Sequence, residues 1–107
     1  MPVNIEGSNE ILIAYLTGEL DHHCASAVRK KIDSAVSEYK PSLLVLDFGD
    51  ISFMDSSGIG LIMGRYKLIN ELGGTLHIVN VSEQAHKIMT LAGLERLATI
   101  TEAEEKI

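Results

Sequence analysis

The sequence predicts a single α/β domain in which helices pack on a mixed β-sheet. Short apolar runs alternate with longer segments whose apolar residues recur at helical spacing. Gly, Pro, Asn and Asp separate these segments, as expected at turns. The chain of 107 residues has the length of one hydrophobic core. We find no internal repeat or linker and therefore expect one domain over residues 1–107.

The composition favours a globular protein that meets other proteins. Apolar residues make up 46% of the chain and charged residues 22%, which permits a real core and argues against disorder. The net charge is −6, and nine Lys and Arg residues are scattered along the chain. Nucleic-acid binding needs clustered cations to neutralise phosphates. The sequence therefore predicts no nucleic-acid partner and no basic membrane-surface helix.

The cysteine content and the apolar runs indicate a cellular location. Cys24 is the single cysteine, which excludes an internal disulfide and a multi-cysteine zinc site. The first ten residues lack a basic segment followed by a long apolar stretch, so no signal peptide is expected. No apolar run reaches the ~20 residues that span a bilayer. We expect a cytoplasmic protein without a membrane span.

The first part of the chain predicts two strands and a helix. Residues 3–7 alternate apolar and polar side chains, as a short edge strand does. Residues 11–16 form a longer apolar run that ends at Thr17-Gly18, and they predict a buried strand. From Asp21 to Tyr39 the apolar residues recur at helical spacing. Asp21 is placed to cap this helix, because its carboxylate can accept a free amide hydrogen bond.

The middle of the chain predicts a central strand followed by a second helix. Residues 42–48 are a continuous apolar run, typical of a parallel strand that is covered on both faces. The second helix spans roughly 56–72 and ends at Gly73-Gly74.

The last part predicts two further strands around a third helix. The strands are at 75–80 and 97–100, and Ser82 caps a helix that runs to Ala92. Residues 101–107 read as a polar tail. The order ββαβαβαβ implies right-handed crossovers between parallel strands of a mixed sheet.

The second helix has an unusual outer face. Projected at 100° per residue, its apolar side is predicted to face the sheet and comprises Ile59, Ile62, Tyr66 and Ile69. Gly60 and Gly64 fall on the opposite side, with Leu61 and Met63 on the two flanks. Each internal glycine costs about 0.8–1 kcal/mol relative to alanine. The glycines reflect either a tolerant surface or close packing, or else a partner that approaches this backbone closely.

The stretch "MDSSG" at the start of this helix has two interpretations. Asp55 or Ser56 can cap the helix, which is a purely structural role. The same position lies at the carboxyl edge of a central strand, where α/β sheets place their sites. Free amides and the positive end of the helix can also hold an added phosphate. A serine here would suit a kinase, although the residues alone do not separate Ser56 from Ser57.

Other chemistries fit poorly. Neither serine has the glycine two positions earlier that a hydrolase nucleophile elbow requires. The glycines of residues 58–64 lie inside the helix, with the wrong spacing for a dinucleotide fingerprint. His22 and His23 are adjacent, and neighbouring helical side chains point about 100° apart. We therefore expect no metal, no cofactor and no catalytic residue.

Three segments together carry a resemblance to a known family. "LTGELDHH" (16–23), "SFMDSSGIG" (52–60) and "GRYK" (64–67) resemble the anti-sigma-factor antagonists of the STAS domain family. The likeness covers nearly the whole chain and is nearer to antagonists of the anti-sigma F factor than to their general-stress relatives. The resemblance implies a STAS-like fold and a sporulation regulator that is not an enzyme. Cys24 replaces a residue that is usually small or hydroxylated, and the final helix of the family is expected to be short or missing.

The resemblance also implies a phosphorylation switch at Ser56. The anti-sigma factor, a nucleotide-bound serine kinase, would modify this serine, and a PP2C-type phosphatase would reverse the modification. The unmodified antagonist would bind the kinase and release sigma F. Asp21 corresponds to an aspartate that is important for this interaction. The predicted partner-binding residues are Asp21, Asp55, Ser56, Ser57, Gly58, Ile59, Gly60, Leu61, Met63 and Gly64. A STAS-type module that senses a nucleotide or other small ligand, and a general-stress antagonist, are the alternatives.

Overall fold

A computed structural model describes residues 3–104 of the chain. Within these residues, five strands and three helices follow one another in the predicted order, and a 3₁₀ turn that was not predicted precedes the last strand. They are β1 (Val3–Gly7), β2 (Ile11–Leu20), α1 (His22–Tyr39), β3 (Leu43–Met54), α2 (Ser56–Glu71), β4 (Thr75–Val81), α3 (Glu83–Leu91), the 3₁₀ turn (Leu94–Arg96) and β5 (Thr99–Glu102).

The strands form one mixed sheet, in the order β1-β2-β3-β4-β5. The edge strand β1 is antiparallel to β2, and the other neighbours are parallel. Each parallel pair is joined through one helix, so the predicted mixed sheet with packed helices is confirmed. No helix within residues 3–104 is both long enough and apolar enough to cross a bilayer.

The prediction that β3 is covered on both faces is wrong. Leu44, Leu46 and Phe48 are buried, whereas the alternating Leu43 and Val45 are only half-buried. The corresponding positions of β2 and β4 show the same alternation. Because the chain adds its parallel strands in one direction with crossovers of one hand, the three helices lie on one face of the sheet. The other face is left partly open.

Strands β2 and β3 are longer than their apolar runs predicted. Both continue through turn-type residues, Thr17-Gly18 in β2 and Gly49-Asp50 in β3, because they pair with each other there. Two register shifts accommodate the irregular residues, and the pairing ends at Leu20 and Met54. The extension moves the start of each following helix to the very end of its strand.

The buried face of α2 is rotated from its predicted position towards α1. Its buried residues are Gly58, Leu61, Ile62, Arg65 and Ile69. Ile59 and Tyr66, predicted to face the sheet, are only half-buried. The prediction placed Leu61 on an open flank, but α1 packs beside α2 and buries that flank.

The end of the chain also differs from its prediction. Strand β5 includes Thr101 and Glu102, because it pairs with β4 from His77 to Val81. The predicted polar tail therefore begins after Glu102, and residues 105–107 of it lie outside the described part.

Candidate phosphoacceptor site at the paired helix starts

The site is built where β2 and β3 end side by side. Leu20 and Met54 are register partners, and the amide of Asp55 donates to the carbonyl of Leu20 at 3.4 Å. The next residue of each strand is an aspartate, so Asp21 and Asp55 are neighbours at the carboxyl edge of the sheet. Helices α1 and α2 start from these two residues.

Both aspartates cap their helices: the cap at Asp21 is confirmed, and of the two candidates for α2, Asp55 and Ser56, it is Asp55. One carboxylate oxygen of Asp21 accepts the amides of His23 and Cys24 at 3.0 and 3.1 Å. One oxygen of Asp55 accepts the amide of Ser57 at 2.7 Å. Hydrogen bonding, above all from the backbone of Cys24, lowers the pKa of the Asp21 carboxyl below its ordinary value. The site therefore carries a negative charge beside the start of α2 at neutral pH.

The two serines of the motif occupy different positions on the first turn of α2. Ser56 is exposed and lies on the outward face, with Gly60 and Met63 four and seven residues later on the same side. Ser57 is half-buried and turns towards α1. An incoming enzyme would thus meet the Ser56 hydroxyl first.

A shallow groove separates the first turns of α1 and α2. It is lined by His22, Ala25, Ser26 and Arg29 of α1 and by Ser57, Gly60 and Leu61 of α2. Leu61 is only 5% exposed and forms the floor of the groove, whereas Met63 is 41% exposed on the opposite flank of α2. The groove opens towards the exposed glycine side of α2.

The three glycines of α2 have different reasons to lack a side chain. A Cβ on Gly58 would collide with the side chain of Met54, so this buried glycine is required by packing. A Cβ on Gly60 or Gly64 would have no neighbouring heavy atom within 4 Å. Close packing within the chain therefore explains Gly58 and does not explain the other two.

The histidines do not join this site into a metal centre. The rings of His22 and His23 meet edge to face with centroids 5.8 Å apart. His86 belongs to α3 and lies against Glu102 of the edge strand β5. Within residues 3–104, no group of three or more His, Cys, Asp and Glu side chains is arranged to hold a metal ion.

The helical spacing of the sequence did not lead us to predict one buried charged residue of this region. Arg65 is buried between α1 and α2 and lies 2.9 Å from Asp33, measured from Nε to Oδ1. Arg65 stands three residues after Ile62 and four before Ile69, which is the spacing of a buried helical position. That spacing was the available signal, but an arginine is normally read as polar surface.

This fold and site define a family. The STAS domain model matches residues 2–107, so the chain belongs to the STAS domain family. An anti-sigma F factor antagonist of Paenibacillus polymyxa is 38% identical over 97% of this chain and 89% of its own length. The resemblance drawn from the three sequence segments is thereby confirmed.

Solved structures agree with this assignment. The unphosphorylated form of the anti-sigma factor antagonist SpoIIAA is 31% identical, with a TM-score of 0.80 over 92% of this chain and 86% of that one. The phosphorylated form of the Bacillus cell fate determinant SpoIIAA is likewise 31% identical, with a TM-score of 0.73 over 92% and 89%. The fold is thus shared by a protein that exists in a bare and a phosphorylated form.

Proposed function

We propose that the chain is an antagonist of the anti-sigma F factor and that phosphorylation of Ser56 switches it off. The exposed serine at the start of α2 carries this proposal, because it lies near two capping carboxylates and two glycines with open space above them. The likeness to anti-sigma F factor antagonists supports the identity of the partner. The chain then acts as a cytoplasmic regulator by binding, and not as an enzyme.

The proposed contact surface surrounds Ser56 on the outside of α2. Gly60 and Gly64 allow a partner to reach the helix backbone, and Met63 supplies exposed apolar area beside them. Asp21 flanks the serine on the α1 side. The surface is small, so a few central contacts would carry most of the affinity.

Other predicted contact residues lie inward of this surface. Leu61 lines the floor of the groove, Ser57 forms part of its wall, and Ile59 is half-buried. Asp55 acts through its cap on α2. Gly58 is buried, and we therefore leave it out of the proposed surface.

Electrostatics explains how one phosphate would block docking. Phosphorylation adds about −1.5 to −2 charges at neutral pH. On Ser56 this charge would stand beside Asp21 and Asp55, whose carboxylates already serve the two helix starts. A partner that covered the site would bury an uncompensated anion, which costs several kcal/mol, and each ~1.4 kcal/mol is a tenfold loss of affinity.

The antagonist itself need not change shape for this block. The added oxygens would lie at the positive end of the α2 dipole, which favours a negative charge. The phosphate is therefore tolerated by the domain and opposed only by the partner. We infer that the switch is local to the interface.

The kinase and phosphatase complete the proposed cycle. The partner is a nucleotide-bound anti-sigma factor with serine kinase activity, and a PP2C-type phosphatase restores the bare serine. Mass spectrometry after incubation with the anti-sigma F factor and ATP tests the acceptor directly. We expect one phosphate on the wild type and on Ser57→Ala, and none on Ser56→Ala. Phosphate uptake by Ser56→Ala at the wild-type rate would overturn the assignment.

A further inference from the structure

Arg65 is the one buried charged residue within residues 3–104, with 6% exposure. It lies on the inner side of α2, in line with Ile62 and Ile69. The proposed docking surface does not include it. A buried arginine requires an explanation, because charged side chains are almost never fully buried without a partner.

Its partner on α1 compensates the charge only in part. Nε lies 2.9 Å from Oδ1 of Asp33, but the N–H does not point at the oxygen, and Nη1 is buried without a hydrogen-bond partner. Burial lowers the pKa of the Arg65 guanidinium, the Asp33 carboxylate opposes this shift, and Arg29 adds to it. Apolar side chains usually stabilise such a position as well or better. Stability alone therefore does not account for the ion pair.

The position of the pair suggests a geometric role. Helices α1 and α2 follow consecutive parallel strands and run side by side, and pairing of Leu20 with Met54 fixes their starts. Asp33 lies one turn beyond Arg29 on α1, and Arg65 lies one turn beyond Leu61 on α2. The strand ends fix one end of the groove. The ion pair therefore lies at the other end.

The ion pair adds a directional contact to the apolar packing of the two helices. Gly60 lines the groove without a side chain and so contributes no contact to α1. Val28 and Ile32 of α1 and Ile62 of α2 are buried in the core, but such apolar contacts are not directional. The ion pair adds a contact of defined length between the two helices.

We propose that Arg65 is a positioning residue whose ion pair with Asp33 sets the width of the groove between α1 and α2. This inference rests on the proposed function only in its consequence, namely that the groove width matches the partner. The width itself belongs to the free protein and can be measured without a partner.

The first test removes the charge but keeps a long, unbranched side chain that can pack in the apolar interior. Arg65→Met should fold with an unchanged or higher Tm, yet bind the anti-sigma F factor about tenfold more weakly. Arg65→Lys keeps the charge and should recover part of the affinity. The matched control is Arg96→Met, which removes an exposed arginine of the 3₁₀ turn and should leave affinity unchanged.

The second test measures the groove in the free protein. Spin labels on Lys30→Cys and Lys67→Cys, in a Cys24→Ser background, place one probe on each exposed helix face. We expect one narrow distance distribution for the parent and for Arg96→Met, and a broader or shifted one for Arg65→Met. An unchanged distribution in folded Arg65→Met would overturn the inference. If the parent failed to bind the anti-sigma factor, the proposed function would fall while this measurement still decided the role of Arg65.

Discussion

Helices α2 and α3 begin in the same way but present different surfaces. Asp55 caps α2 and Ser82 caps α3, each through a side-chain oxygen that accepts an amide of the first turn. On α3 the outer face carries side chains throughout, including Glu83 and Lys87, whose charged groups lie 3.6 Å apart, and the exposed Leu91. On α2 the corresponding face has glycines with open space above them.

The difference shows that capping alone does not mark a functional helix start. A cap is needed wherever a helix begins, and both helices have one. What distinguishes α2 is the exposed hydroxyl of Ser56 next to Gly60 and Gly64. These glycines lower the stability of the helix, and no packing contact within the domain requires them. That combination is expected where another protein must approach the backbone.

The largest effect should come from filling the bare face of α2. Gly60→Leu should weaken binding to the anti-sigma F factor about 10- to 100-fold, because the new side chain overpacks the interface. The protein should stay folded, since the side chain points into open space. Isothermal titration calorimetry measures the affinity, with Lys87→Leu on α3 as the matched control. Wild-type affinity of Gly60→Leu would support the other interpretation, that the glycines lie on a surface that tolerates any residue.

Alanine at two glycines of the same helix should have opposite effects on stability. Gly58→Ala should lower the free energy of unfolding by about 1–3 kcal/mol, because its Cβ displaces the Met54 side chain. Gly60→Ala should raise it by about 0.8–1 kcal/mol through helix propensity alone. Urea denaturation measures both changes. A shift of the same sign in both variants would show that the packing of α2 is misassigned.

The cap of α3 should matter for stability and not for docking. Ser82→Ala removes the hydroxyl that accepts the Ala85 amide at 3.1 Å and should cost about 1 kcal/mol. Affinity for the anti-sigma factor should remain that of the wild type at a temperature where both proteins are folded. A loss of affinity in this variant would extend the docking surface to α3.

The smallest effect concerns the charge of Asp21. Because its pKa is lower in the folded than in the unfolded protein, the unfolded state binds the proton more readily and stability rises with pH through this range. The contribution is complete above the ordinary Asp range, about pH 4, and is lost as the pH falls through the lower folded value. Asp21→Asn keeps a capping oxygen but should lack this pH dependence. If acid lowered the stability of the two proteins equally over this pH range, the lowered pKa of Asp21 would be refuted.

Much of the fold could be predicted because local chemistry and the final structure agree. The alternation of strands and helices follows from apolar spacing, and the caps at Asp21, Asp55 and Ser82 follow from residue type at helix starts. The continuation of β2 and β3 to Leu20 and Met54 could not be predicted in this way. It depends on pairing between the two strands, which overrides the turn preference of their glycines.

The candidate site could be predicted in outline only. The motif placed Ser56 and Asp55 at a helix start, but the orientation of α2 depends on its contacts with α1. Burial of Arg65 requires Asp33 from another helix, and no single-helix projection contains that information. Burial of Arg65 accompanies the rotation of α2 towards α1. This rotation places Leu61 on the floor of the groove and not on an open flank.

The account is tested most directly by the affinity of the anti-sigma F factor for bare and for Ser56-phosphorylated protein, with nucleotide present throughout. We expect tight binding of the bare form and at least about a hundredfold weaker binding of the modified form, corresponding to roughly 2.7 kcal/mol. Equal affinity for the two forms would contradict the proposed switch.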